Sequence, residues 1–83
     1  MIDKKTLENI QGEIRKAITT ADTSKDYNDS IDAYKTLLTH YYTHIETTGG
    51  RTVEQTVKQN ISCGSCKSSI KNYWNRYLSA YGY

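Results

Sequence analysis

Two pairs of residues in this sequence have the types and spacing of metal ligands or redox groups. Cys63 and Cys66 form a C-x-x-C pair near the start of the last predicted helix. His40 and His44 lie one turn apart on the second predicted helix. Two sulfurs and two imidazoles are the ligand set of a closed tetrahedral zinc site. The sequence therefore predicts a structural zinc ion held by His40, His44, Cys63 and Cys66.

The sequence leaves two other interpretations of these residues open. A helical wheel places both histidines roughly 100° from the centre of the apolar stripe of their helix, whereas both cysteines lie on the apolar face of theirs. In the first alternative, the cysteines are small buried thiols and the histidines flank the core. In the second, a C-x-x-C pair at a helix N-terminus favours the thiolate and indicates a redox site, although the βαβ context typical of such sites is not evident.

A stripe of basic and apolar residues on the last predicted helix is the second candidate site. Lys67, Lys71, Trp74 and Leu78 follow each other at helical spacing, beside the face that is predicted to enter the core. We predict that these four residues contact a macromolecular partner. A protein would use Trp74 and Leu78 as anchors, whereas a nucleic acid would use the lysines and Arg76 on phosphates and stack on Trp74. The structural alternative is that Trp74 covers the edge of the core beneath the lysine stems.

The charge distribution favours a protein partner over a nucleic acid. Residues 1–50 hold six basic against eight acidic residues, and residues 51–83 hold five basic residues against Glu54 alone. The resulting charge of +4 on the last third attracts anions, but it is small for a DNA-binding domain. Nucleic-acid binding remains the alternative prediction.

Composition and motifs point to binding and away from catalysis. The chain of 83 residues has no Gly-rich phosphate loop, no nucleophile elbow and no acid and base pair at a suitable spacing, so we predict that it is not an enzyme. It also has no signal peptide and no apolar run that approaches ~20 residues. We therefore predict a cytoplasmic protein whose cysteines are reduced thiols.

Residues 61–78 (ISCGSCKSSIKNYWNRYL) resemble the tail of small uncharacterised proteins of phages and other mobile elements, in which a C-x-x-C opens a final basic and aromatic helix. The resemblance implies a small accessory protein made in the cytoplasm of an infected host, such as an inhibitor of a host enzyme or a minor assembly factor. It implies no particular activity or site residue.

Four amphipathic segments must position these residues. The first helix is predicted over residues 4–21 with Asp3 as its N-cap. A loop over residues 22–29 leads to a second helix over residues 30–47. We expect Gly49-Gly50 to supply the left-handed residue that ends this helix.

The remaining segments complete an all-α fold. Thr52 to Gln55 has the form of a capping box and predicts a short helix, although the β-branched Val53, Val57 and Ile61 would equally suit an extended segment. The last helix is predicted from Ser62, as N-cap, to Ala80. Its predicted core face consists of Cys66, Ile70, Tyr73, Tyr77 and Tyr81. We predict one domain over residues 1–83, a small bundle of three long amphipathic helices and one short helix.

Overall fold

The computed structural model describes residues 2–46 and 48–83, which form four helices connected by short turns. The helices are α1 (Lys4–Thr23), α2 (Tyr27–His44), α3 (Val53–Asn60) and α4 (Gly64–Ala80). No strand occurs within these two ranges, and the predicted all-α bundle of three long helices and one short helix is confirmed. In the same ranges, no helix is long and apolar enough to cross a membrane.

Two helix starts lie where the sequence predicts them, because a side chain satisfies the first free backbone amides. The Asp3 carboxylate accepts a hydrogen bond from the Thr6 amide at 2.8 Å. At the start of α3, the Thr52 hydroxyl accepts from the Gln55 amide, and the Gln55 side chain accepts from the Thr52 amide. Both bonds of the predicted capping box are therefore formed.

The other two helix starts differ from the prediction by one to three residues. Helix α2 begins at Tyr27, because the Asp26 carboxylate caps it by accepting hydrogen bonds from the amides of Asn28 and Asp29. The loop predicted over residues 22–29 is therefore too long. Helix α4 is capped by the sulfur of Cys63 and not by Ser62.

The end of α2 also differs from its predicted position. The helix ends at His44, with Ile45 as its C-cap, and the predicted last residue, Thr47, lies outside the described residues. Gly49 does adopt the expected left-handed conformation, with φ of +69°, but it lies in the turn before α3 and not at the end of α2.

Helix α2 is the central element, since it packs against each of the other three helices. Helix α1 also packs against α4, and the Arg15 guanidinium fixes this contact. The Arg15 Nε and Nη2 atoms donate to the carbonyl of Tyr83 at 3.0 and 2.8 Å, and Arg15 Nη1 donates to the Asn75 side chain at 2.6 Å.

The side chains in the core are Ile2, Leu7, Ile14, Ala17, Ile18, Ala33, Leu37, Leu38, Val57, Ile70, Trp74 and Leu78.

Candidate functional site

The apolar half of the predicted partner-binding stripe is buried. Trp74 and Leu78 are 0% exposed, and the Trp74 indole N–H donates to the Leu37 carbonyl at 2.9 Å. The prediction that these two residues contact a partner is therefore wrong. Helix α4 turns Ile70, Trp74 and Leu78 toward the core. This rotation buries the purely apolar side chains and the indole and leaves the rings of Tyr73 and Tyr77 half-buried at the edge. The Tyr77 hydroxyl is nevertheless buried without a hydrogen-bond partner among the described residues.

The basic half of the stripe attaches α4 to its neighbours. The Lys71 ammonium lies 2.6 Å from the Asp22 carboxylate on α1. This hydrogen bond raises the pKa of Lys71, against the opposing effect of burial. The Lys67 ammonium lies 5.6 Å from the centre of the Tyr34 ring on α2. Both lysines are half-buried and take part in contacts between helices.

The two histidines of the predicted zinc site face α1. His40 Nε2 lies 3.3 Å from the Glu13 carboxylate, and the imidazoles of His40 and His44 stack with 5.8 Å between their centres. Burial lowers the pKa of His44, and the neighbouring His40 lowers it further, whereas Asp3 raises it. The histidines therefore belong to the contact between α1 and α2.

The two cysteines lie elsewhere, at the start of α4, and the structure pairs Cys63 with Cys66 as a disulfide. The structure describes the paired form of the two cysteines, and their reduced state in the cell stays a prediction. The pairing is allowed because the two residues flank one helical turn, with their Cα atoms 5.2 Å apart. Within residues 2–46 and 48–83, no group of three His, Cys, Asp or Glu side chains could hold a metal ion. The four predicted zinc ligands are not brought together, and bound zinc stays an untested prediction.

A groove of about 420 Å³ runs between α2 and α4 beside the cysteine pair. Three half-buried aromatic residues, Tyr41, Tyr42 and Tyr73, line it, and we call it the tyrosine groove. Buried Leu38 and Ile70 supply apolar surface. The remaining lining residues are Glu46, Asn60, Ser65, Cys66, Ser69 and Arg76.

The tyrosine rings of the groove are fixed by packing against each other. The ring centres of Tyr41 and Tyr42 are 5.1 Å apart, and those of Tyr41 and Tyr73 are 5.0 Å apart, both in edge-to-face geometry. Tyr73 in turn lies edge-to-face on Trp74 at 5.6 Å and beside Tyr77 at 5.7 Å. Because these rings rest on the core, little conformational freedom is left to lose when a ligand binds.

The hydroxyls of the groove stay protonated under ordinary conditions. A hydrogen bond to the Glu46 carboxylate and burial raise the pKa of Tyr41 to about 12. Burial and the charge of Glu46 also raise the pKa of Tyr42, and burial together with Tyr81 raises that of Tyr73. The groove therefore offers neutral hydroxyl donors and acceptors above an apolar floor, with the exposed charges of Glu46 and Arg76 on its lining.

The sequence patterns assign residues of the groove to other roles, in the core or in contact with phosphate. Tyr73 falls on the predicted core face of the last helix, and Arg76 is predicted only as a phosphate contact. The composition is a further signal of a half-buried aromatic surface, with eight tyrosines and no phenylalanine in 83 residues. Tyrosine suits such a surface because it combines an apolar ring with a hydroxyl that remains near water. The pattern does not indicate which tyrosines share one groove.

Comparisons with known proteins provide no relative. No family model, curated protein or solved structure matches the chain. The resemblance of residues 61–78 to phage proteins therefore stays a prediction.

Proposed function

We propose that the protein is a small binding module, an accessory or inhibitor protein that holds a segment of a protein partner in the tyrosine groove. The observation that carries the proposal is the groove itself, a concave surface lined by three tyrosines and Arg76 between two packed helices. Tyrosine and arginine are enriched among the residues that dominate binding energy at protein interfaces.

The chemistry of the groove supports a peptide segment as the ligand. Leu38 and Ile70 offer apolar contact, and the tyrosine hydroxyls offer hydrogen bonds to a peptide backbone. Glu46 and Arg76 add one charge of each sign, which suits a segment of mixed polarity better than a polyanion. Binding still takes place on the C-terminal helix, but on the side of α4 that carries Tyr73 and Arg76 and not on Trp74 and Leu78.

Peptide display tests this proposal even though the partner is unidentified. Peptides selected on the immobilised protein should bind the parent chain and lose affinity for Tyr42→Ala and Arg76→Ala. An anchor that costs about 2 kcal/mol when truncated weakens binding ~30-fold. Tyr27→Ala is the matched control, because Tyr27 is 74% exposed at the opposite end of α2.

Two results would contradict the proposal. In the first, the selected peptides bind both groove variants and the Tyr27 variant equally well. In the second, the protein binds an oligonucleotide tightly at physiological salt, and Lys58→Ala reduces that affinity and its salt dependence more than Tyr42→Ala does. The second result would favour the nucleic-acid alternative.

A further inference from the structure

The cysteine pair occupies an unusual position, at the first turn of a 17-residue helix and at one end of the tyrosine groove. Cys63 is the N-cap of α4, and Cys66 lines the groove. The disulfide joins two residues of one turn and connects no two elements of the fold. A closed loop this short constrains the unfolded chain little, so the pair contributes less to stability than a link between helices would.

The start of α4 favours negative charge on one of the two sulfurs. Cys63 Sγ accepts a hydrogen bond from the Cys66 amide at 3.2 Å and lies 3.4 Å from the Ser65 hydroxyl. The first turn of α4 lies entirely within the described residues and carries no acidic side chain that would repel negative charge on Cys63 Sγ. Backbone amides at a helix start stabilise a thiolate in the same position.

The sulfurs are also within reach of another molecule. Gly64 and Ser65, between the two cysteines, are exposed. Cys63 and Cys66 are themselves half-buried and not enclosed in the core. On the inner side, Cys66 faces the groove together with Ser65 and Ser69. A segment that lies in the groove therefore brings its own side chains close to the pair.

We propose that Cys63 and Cys66 form a thiol–disulfide exchange site for a cysteine of the segment held in the tyrosine groove. In the reduced protein, the Cys63 thiolate attacks one sulfur of a partner disulfide, forms a mixed disulfide and releases the other sulfur as a thiolate that takes a proton from water. The Cys66 thiol then loses its proton to water, attacks Cys63 Sγ as a thiolate, closes the Cys63–Cys66 disulfide and releases the second partner sulfur as a thiolate that takes a proton from water. Two electrons pass from the protein to the partner, and the reverse sequence oxidises a partner dithiol.

The identity of the partner rests on the proposed function, whereas the reactivity of the pair does not. Glutathione disulfide is therefore the first probe, because it is too small to need the groove. Reduced parent protein should close its own disulfide with glutathione disulfide and keep no glutathione. Cys66→Ser should retain one glutathione on Cys63, as seen by mass spectrometry. This adduct should form about 10-fold or more faster than the glutathione adduct on Cys66 in Cys63→Ser.

A charge variant separates this assignment from ordinary thiol reactivity. Ser65→Asp, made together with Cys66→Ser, places a carboxylate in the first turn and should slow the reaction of Cys63 several-fold. Asn72→Asp in the same background adds the same charge to an exposed position two turns further along α4 and should leave the rate unchanged. Equal rates for the two single-cysteine variants, or no effect of Ser65→Asp, would overturn the proposal.

A cysteine-containing version of a displayed peptide tests the link to the groove. The peptide cysteine is supplied as a mixed disulfide with glutathione, so that the Cys63 thiolate of Cys66→Ser attacks the peptide sulfur and releases glutathione as a thiolate. This exchange should be faster than the reaction with glutathione disulfide, and Arg76→Ala should remove that advantage. If no peptide binds but Cys63 still reacts with glutathione disulfide faster than Cys66 does, the exchange site stands and the proposed binding function fails. If the peptide binds but neither cysteine reacts preferentially, the exchange site fails alone.

Discussion

Trp74 is the largest fully buried side chain among the described residues. Its indole is fully buried, donates to the Leu37 carbonyl and packs edge-to-face with Tyr73 and Tyr77. A buried indole N–H without a partner would be costly, so the hydrogen bond fixes the ring as well as the helix.

We expect Trp74→Ala to lower the free energy of unfolding by about 3–5 kcal/mol, because it leaves a large cavity in a small core. Trp74→Phe keeps an aromatic ring and should cost less, since it removes the hydrogen bond to Leu37 and part of the buried area. Urea unfolding followed by circular dichroism measures both changes. Tyr27→Ala, on the surface, should change stability by no more than about 0.5 kcal/mol, and a similarly small effect of Trp74→Ala would contradict the buried position.

The burial of Trp74 could not be derived from the sequence, for a physical reason. On α4, the series Ile70, Trp74, Leu78 and the series Ile70, Tyr73, Tyr77 are both spaced as helical stripes. Small differences in the rotation of the helix decide between them, and contacts with α2 fix that rotation. Of the aromatic residues predicted on the core face, Tyr73 and Tyr77 are half-buried and Tyr81 is 47% exposed, whereas the Trp74 indole, predicted beside that face, is fully buried.

Among the elements, α1 and α4 are joined by a polar contact that no sequence pattern predicts. Arg15 lies on the flank of α1 and reaches the C-terminal end of α4, where it binds Asn75 and Tyr83. These partners are 60 and 68 residues away along the chain. Local patterns carry no information on such a distant pairing, in contrast to the caps at Asp3 and Thr52, whose partners lie three residues away.

We expect Arg15→Ala to lower the free energy of unfolding by about 1–2 kcal/mol, because it leaves the Tyr83 carbonyl without its charged donor. Arg15→Lys should restore less than half of the loss, since an ammonium cannot reproduce the bidentate contact. Urea unfolding at room temperature gives the comparison. The matched control is Lys16→Ala, which removes an exposed neighbouring charge. An equal effect of the two alanine variants would show that the contact contributes nothing beyond charge.

At the scale of the whole molecule, the arrangement of helices separates the two pairs of predicted zinc ligands. His40 points from α2 toward Glu13 on α1 and His44 stacks on His40, while the cysteines lie at the start of α4 near the tyrosine groove. The four helices, the starts of α1 and α3 and the end of α4 could be predicted from the sequence, since they follow from local caps and periodicity. Their relative rotation, on which any site built from two helices depends, could not.

Metal analysis tests this separation. We expect protein purified without added zinc, in oxidised and in reduced form, to contain less than about a tenth of an equivalent of zinc and to melt at the same temperature with a chelator. One zinc per chain, together with destabilisation by the chelator, would mean that α2 and α4 rotate to bring the four ligands together. His40→Ala should then reduce zinc content as much as Cys63→Ser does.

The position of the single tryptophan has an optical consequence. Tyr73 and Tyr77 lie with their ring centres 5.6 and 5.5 Å from that of Trp74. At such separations, excitation absorbed by the tyrosines passes readily to the indole, which emits from an apolar surrounding. The unlabelled protein therefore carries its own fluorescent sensor of unfolding, because separation of the tyrosines from the indole and exposure of the indole to water both change its emission.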